Sequence, residues 1–119
     1  MEILIQSIMS IINELNPNPN DRIMCVKVGR IVRENFYEMA RKYWKVKLDK
    51  AEKVTHVLAV VDGTVAAVYI PHKWKYTDNP QYEGRCEFVG IEDFCSEYLG
   101  KTVVSFYGKS QNPVKYINL

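Results

Sequence analysis

The stretch Thr55–Ile70 constrains the fold more than any other part of the chain. It reads THVLAVV-DG-TVAAVYI, two runs rich in β-branched residues that are joined by Asp62-Gly63. An Asp-Gly pair suits a type I′ turn, which needs positive φ at both central residues and matches the twist of paired strands. The stretch therefore predicts a β-hairpin. Because both runs are almost continuously apolar, we expect the hairpin to lie centrally, covered on both faces.

The segments around this hairpin predict an α+β fold in a single domain, residues 1–119. Residues 1–20 are expected to form an amphipathic helix (2–15) and a Pro-rich linker, and residues 22–118 the rest of the domain. The other expected elements are a strand at 22–28, helices at 34–46 and 48–54, a loop at 71–84, a strand at 85–90, a helix at 91–100 and two strands within TVVSFY and VKYIN. We expect a mostly antiparallel, curled sheet that could close into a small barrel.

Bulk properties exclude several classes of protein. The net charge of +2 is too small to predict a broad nucleic-acid surface from charge alone, so a basic site must come from local clustering. The three cysteines form no CxxC pair and predict reduced thiols in a cytoplasmic protein rather than a zinc site. The apolar first segment lacks the features of a signal peptide and is too short to span a bilayer, so no membrane association is expected.

Motifs that would indicate catalysis are absent from the sequence. It contains no G-x-S-x-G, no P-loop, no G-x-G-x-x-G and no H-E-x-x-H. We therefore predict a protein that is not an enzyme and that needs neither a metal nor another cofactor. An unrecognised enzyme would require a histidine and an acid that converge only in the folded chain.

The first candidate binding cluster lies on the helix expected at 34–46. Tyr37, Arg41 and Trp44 fall at i, i+4 and i+7 and so share one stripe of the helix surface. A guanidinium can pair with phosphate while the rings stack on a base. The alternative is an edge of the core, with the arginine stem lying over the rings and its head in water.

The second cluster lies on the long loop and the strand after it. Basic and aromatic side chains alternate there, namely Lys73, Trp74, Lys75, Tyr76 and Tyr82, and Arg85 follows. Nothing in a core requires these residue types on a loop, which favours a binding role. Strand alternation would turn Arg85 and Glu87 to one side, and the alternative is an ordinary solvated Arg–Glu pair.

The third cluster is the closing segment GKSQNPVKYIN. Lys109 and Ser110 can contact an anion, and Asn112 can hydrogen-bond a base edge because an amide offers both donor and acceptor. The alternative is that Asn112 only satisfies the backbone of a turn.

Ordered motifs across residues 22–118 resemble a small module of bacteria and phages. The segments that carry this resemblance are FYEMARKYWKVKLDKAEKVTHVLAVVDGTVAAVY, KW, GRCEFVGIED, YLGK and SQNPVKYIN. The module is similar to the C-terminal half of GIY-YIG nucleases of the LEM-3-like group and to stand-alone short proteins. The positions matching its pattern are Tyr37, Arg41, Trp44, Lys73, Trp74, Arg85, Phe88, Gly90, Asn112, Pro113 and Tyr116.

The resemblance implies an accessory binding role rather than nuclease activity, because the catalytic half of those nucleases has no counterpart here. By fold-level analogy the module is similar to PUA-like barrels. We therefore expect a non-catalytic module that recognises nucleic acid or a nucleotide-derived ligand in one Arg/Trp-lined pocket. The alternative is a phage- or mobile-element-encoded interaction protein that inhibits a host factor or sequesters a nucleotide signal. In either case residues 1–15 are expected to mediate self-association.

Overall fold

A computed structural model describes residues 13–29 and 35–119 of the chain. In chain order, these residues form strand β1 (Ile23–Lys27), helices α1 (Phe36–Arg41) and α2 (Leu48–Ala51), strands β2 (His56–Val61) and β3 (Thr64–Tyr76), a 3₁₀ helix (Pro80–Tyr82), strand β4 (Cys86–Glu92), helix α3 (Val104–Tyr107) and strand β5 (Val114–Ile117). The predicted hairpin is present. Asp62 and Gly63 both have positive φ, 52° and 78°, as a type I′ turn requires.

The strands form one five-stranded sheet in the order β4-β3-β2-β1-β5. Strands β1 and β2 are parallel, and the other neighbouring pairs are antiparallel. The domain is thus α+β with a mixed sheet in which antiparallel pairing predominates. In the described part of the chain, β4 and β5 lie at opposite edges, and a closed barrel is not confirmed.

The hairpin strands are almost continuously apolar as far as Ile70 because both faces of the sheet are covered there. On one face, Met24, Val57 and Tyr69 belong to a core cluster that also contains Ala40 of α1 and Ala51 of α2. We call this the helix face. On the opposite face, a second cluster contains Cys25, Leu58 and Val68 from the sheet, together with Tyr98, Val103 and Tyr107 from the C-terminal part of the chain. The central position expected for the hairpin is therefore confirmed.

Strand β3 is much longer than expected, and the predicted loop 71–84 is wrong in its first half. Beyond Tyr69, β3 no longer pairs with β2, and among the described residues it pairs with β4 alone, as far as the Tyr76–Cys86 pair. Pro71 is tolerated because the register shifts between Pro71 and Lys73. We call residues 70–91 the hairpin arm and residues 77–85 its tip.

Several other boundaries also differ from the predictions. The helix expected at 34–46 ends at Arg41, and the one expected at 91–100 is replaced by the end of β4 and turns. The segment TVVSFY contains α3 instead of a strand. The N-terminal helix expected at 2–15 lies mostly outside the described residues, and Asn13–Leu15 are not helical.

Within the described ranges, no helix is both long enough and apolar enough to cross a lipid bilayer.

Gly90 lies where β3 and β4 approach each other closely in the arm. A Cβ at this position would collide with the carbonyl oxygen of Ile70 and would lie 2.9 Å from the Cα of Pro71. Both are backbone atoms and cannot move independently. We expect Gly90→Ala to lower the free energy of unfolding by about 2–3 kcal/mol, measured by urea denaturation. The control is Gly29→Ala, since a Cβ at Gly29 meets nothing within 4 Å. An equal loss in both variants would contradict the clash.

Candidate functional site

The predicted stripe on α1 covers the outer edge of strand β4. The Tyr37 hydroxyl accepts a hydrogen bond from the backbone N–H of Gly90 at 2.9 Å. The Arg41 Nε donates to the carbonyl oxygen of Phe88 at 2.7 Å. The backbone of Trp44 exchanges two hydrogen bonds of 2.9 Å with the backbone of Cys86. The edge of the arm therefore has its outward polar groups bonded at three successive alternate residues.

The match between stripe and strand follows from simple geometry. Alternate residues of a strand are about 6.6 Å apart, and residues four apart on a helix rise about 6 Å. Tyr37 and Arg41, four residues apart on α1, can therefore contact Gly90 and Phe88, two residues apart on β4, whereas Trp44 lies past the end of the helix and reaches Cys86 through an isolated β-bridge. An edge strand left open can pair with other chains. This arrangement agrees with one part of the alternative interpretation, an edge of the core, but the head of Arg41 is bonded to protein groups instead of lying in water.

The guanidinium of Arg41 forms ion pairs with carboxylates of the protein itself. Its Nη2 lies 2.7 Å from Oε2 of Glu87, and its Nη1 lies 3.1 Å from Oε2 of Glu38. The Arg41 and Glu87 side chains are only 13% and 10% exposed. Burial acts to lower the pKa of Arg41, but the charges of Glu38 and Glu87 raise it above its ordinary value. Arg41 is thus held by two carboxylates and one carbonyl, which leaves little of it for a phosphate.

The same charged cluster shifts the pKa of Glu38 in the opposite direction to that of Arg41. Burial acts to raise its pKa, but hydrogen bonds and positive charge from Lys42 and Arg41 outweigh burial, and the pKa lies below its ordinary value. The carboxylate therefore stays ionised beside Arg41.

Neither tryptophan offers a free ring face for stacking on a base. Trp74 is 6% exposed and packs on Phe88, with ring centroids 5.0 Å apart. Its Nε1 is buried and has no hydrogen-bond partner. Trp44 is half-buried against the helix-face core, and its Nε1 donates to the carbonyl of Ala40 at 2.8 Å. The placement of Trp74 on an exposed loop was wrong because alternation along β3 turns its ring into the core.

A column of aromatic and cationic groups stands at the tip of the arm. The rings of Tyr43 and Tyr82 stack with centroids 4.2 Å apart and an interplanar angle of 9°. The guanidinium of Arg85 lies 5.6 Å from the centroid of Tyr82. Arg85 is exposed, and the neighbouring Tyr76 is 55% exposed. We call Tyr43, Tyr82 and Arg85 the tip column.

Sequence reasoning missed Tyr43 as a member of this column. A helix that continued to residue 46, as expected, would place Tyr43 beside Ala40 three residues earlier, on a stripe that faces the core. Because α1 ends at Arg41, Tyr43 leaves that stripe and meets the tip. This helix end has no strong signal in the sequence, since neither Gly nor Pro occurs in the segment KYWKV that directly follows Arg41.

Lys73 lies on the arm, away from the tip column. Its side chain is exposed, and it lines a cavity of about 190 Å³ with Trp74, His72 and Glu52. The carboxylate of Glu52 offsets the cationic character of this cavity. The cavity is smaller than the roughly 300 Å³ typical of sites for small organic ligands.

The polar side chains of the closing segment form hydrogen bonds within the segment itself. The Asn112 Oδ1 accepts from the N–H of Val114, and the Ser110 Oγ accepts from the N–H of Asn112. These bonds shape the turn before β5, as the alternative interpretation held. Strand β5 lies at the opposite edge of the sheet from β4. Among the described residues, no hydrogen bond, ion pair or ring contact joins Arg85 to Lys109, Ser110 or Asn112.

Comparisons of the chain with protein-family models, with curated proteins and with solved structures give no match. The resemblance to the nuclease-associated module is therefore supported by the sequence motifs alone.

The role of Arg41 can be tested by its effect on stability. Arg41→Met leaves Glu87, which is 8% exposed, without its ion-pair partner and leaves the Phe88 carbonyl without the Arg41 donor. We expect a loss of about 3 kcal/mol in the free energy of unfolding, because an unpaired buried charge is costly. Guanidinium denaturation measures this loss.

The matched control is Lys75→Met. Lys75 pairs with Asp78 at 3.1 Å, but the two side chains are 43% and 91% exposed. We expect a loss below about 1 kcal/mol. If both variants lost the same stability, the special position of Arg41 at the strand edge would be refuted.

Proposed function

We propose that this domain is a non-catalytic binding module that recognises nucleic acid or a nucleotide-derived ligand at the tip of its hairpin arm. The observation that carries the proposal is the tip column, in which Arg85 lies over a stacked pair of tyrosine rings. The proposal places the protein in the cytoplasm. It does not depend on a PUA-like barrel.

The chemistry of the column suits such a ligand. An exposed guanidinium can pair with a phosphate, and its flat face can also stack on a base. Tyr76, which pairs with Cys86 next to Arg85 in the chain, adds a further exposed ring at this end of the arm. Tyr43 and Tyr82 support Arg85 from beneath, which reduces the ordering cost that a free arginine side chain would incur on binding.

This site is smaller than the one expected from the sequence. Arg85 keeps the phosphate-binding role expected for it. Stacking on a base is assigned to Tyr76 and the Arg85 guanidinium instead of to the two tryptophans. Lys73 lies on the same arm but away from the tip column, beside the cavity that Glu52 also lines. Arg41 and the closing segment are not part of the proposed site.

A protein-interaction role is the second candidate, in which a phage- or mobile-element-encoded factor inhibits a host protein or sequesters a nucleotide signal. The exposed side chains of Val89, Ile91 and Phe94 favour it, because adjacent exposed apolar residues are typical of protein contacts.

The tip is tested by changing the charge of Arg85. We expect Arg85→Gln to weaken binding of a labelled single-stranded oligonucleotide of about 12 nucleotides by roughly tenfold. The reason is the loss of one charge-assisted phosphate contact, so the slope of log affinity against log salt should fall by about one. Fluorescence anisotropy over a salt series gives both quantities, and competition with free nucleotides separates a nucleic-acid site from a nucleotide site.

The control variant is Lys109→Gln, which removes the same charge from an exposed position at the other edge of the sheet. It should bind like the unmodified protein. Equal weakening by both variants would mean that binding follows overall charge, and absence of binding by the unmodified protein would remove the proposed function altogether.

A further inference from the structure

Each of the two stacked rings in the tip column has a cation over it. The guanidinium of Arg85 lies 5.6 Å from the centroid of the Tyr82 ring. The Nζ of Lys42 lies 5.3 Å from the centroid of the Tyr43 ring. The stacked rings are therefore associated with two positive charges, and the partners of those charges decide where an anion can bind.

The two cations differ in their partners. The Nζ of Lys42 lies 3.1 Å from Oε2 of Glu38, the carboxylate that also pairs with Arg41. Arg85 donates one hydrogen bond of 3.5 Å to the backbone carbonyl of Tyr43. Among the residues that the structure describes, no carboxylate lies within ion-pair distance of Arg85. Arg85 is therefore the cation of the tip column whose charge remains for an anionic ligand.

Two other cations close to this part of the arm already have carboxylate partners. Glu87 lies two residues after Arg85, on the same face of the strand, and is bound by Arg41 at 2.7 Å. Lys75 pairs across the two strands with Glu87, and its Nζ lies 3.1 Å from Oδ2 of Asp78. Neither Arg41 nor Lys75 therefore adds an open positive charge next to Arg85.

Exposed carboxylates also limit what can bind beyond Arg85. The side chain of Asp78 is 91% exposed, and Glu83, the other acid of the tip, is exposed as well. Lys45 is exposed two residues after Tyr43, but no contact among the described residues joins it to a ring of the column. A second phosphate at the tip would therefore meet carboxylates, and like charges repel.

Sites that bind single strands use more cations than the tip column offers. They combine a positively charged groove, which follows the backbone, with several stacking rings, and they cover about 4–16 nucleotides. The tip column offers one guanidinium for an anion, and Tyr76 adds one ring that is 55% exposed at this end of the arm. These groups match one phosphate and one base.

We propose that the ligand of the tip column is a single nucleotide with a terminal phosphate, and not a strand whose backbone the protein follows. This inference rests on the proposed function and narrows it. Arg85 pairs with the phosphate, since a guanidinium can bind phosphate through two parallel hydrogen bonds. The base stacks on the exposed ring of Tyr76. A terminal phosphate suits a lone guanidinium better than a phosphodiester does, because it carries more negative charge.

Isothermal titration calorimetry of the full chain tests the proposal with adenosine 5′-monophosphate and with 5′-phosphorylated oligoadenylates of about four, eight and 12 nucleotides. We expect a dissociation constant on the order of 100 μM for the mononucleotide, and values within about threefold of it for the oligonucleotides. Adenosine lacks the phosphate and should bind at least about tenfold more weakly. For the longest oligonucleotide, log affinity should fall with log salt with a slope of about one.

Asp78→Asn tests why the site is limited to one nucleotide. This variant releases Lys75 as a second cation, so we expect the affinity for the longest oligonucleotide to rise by roughly threefold to fivefold and its salt slope to rise by about one. The affinity for the mononucleotide should change by less than about twofold. The matched control is Glu97→Gln, which removes one negative charge from an exposed position outside the arm and should change neither affinity. An equal rise in both variants would contradict the role of Asp78.

The length series separates failure of this inference from failure of the proposed function. Affinity that rises steadily with strand length, with a salt slope of several, would overturn the single-nucleotide ligand and leave nucleic-acid binding in place. Mononucleotide binding that Arg85→Gln does not weaken would overturn this inference together with the tip site. If neither the mononucleotide nor any oligonucleotide bound, the proposed function itself would be removed.

Discussion

The hydrogen bonding along the outer edge of β4 is the interaction on which the rest of this structure depends. Past Tyr69, strand β3 pairs with β4 alone among the described strands, and an isolated pair of strands is marginal in water. The contacts from Tyr37, Arg41 and Trp44 add a third element to this pair and so support it. The proposed binding site at the tip lies on the hairpin that this support holds in place.

Local chemistry explains which parts of the fold could be predicted from the sequence. The hairpin was predictable because the need of Asp62-Gly63 for positive φ and the β-branched runs act within a few residues of each other. The boundaries of α1 and β4 were not, because they depend on pairing with residues far away in the chain. The run PHKWKY shows the difficulty, since proline and charged residues indicate a loop, whereas pairing with β4 makes it a strand.

The candidate site shows the same division. Periodicity correctly placed Tyr37 and Arg41 on one stripe, but a stripe does not reveal whether it faces a ligand or the edge of a strand. Arg41 could be recognised as structural only once Glu87 and the Phe88 carbonyl were found beside it. Conversely, Tyr43 joined the tip column only because α1 ends early. Residue types indicated the kind of chemistry, and the tertiary pairing decided which residues carry it.

The strand order also explains why the arm and the closing segment have different roles. The final strand pairs with β1, and the arm grows from the other edge of the sheet. The closing segment therefore completes one edge, where the side-chain amide of Asn118 also donates hydrogen bonds to the carbonyl oxygens of Asn18 and Asp21. The arm instead has its outer edge bonded by Tyr37, Arg41 and Trp44. The tip column lies beyond this support, where the side chain of Arg85 is exposed. The same contacts that occupy Arg41 thus hold in place the hairpin on which Arg85 is left for a ligand.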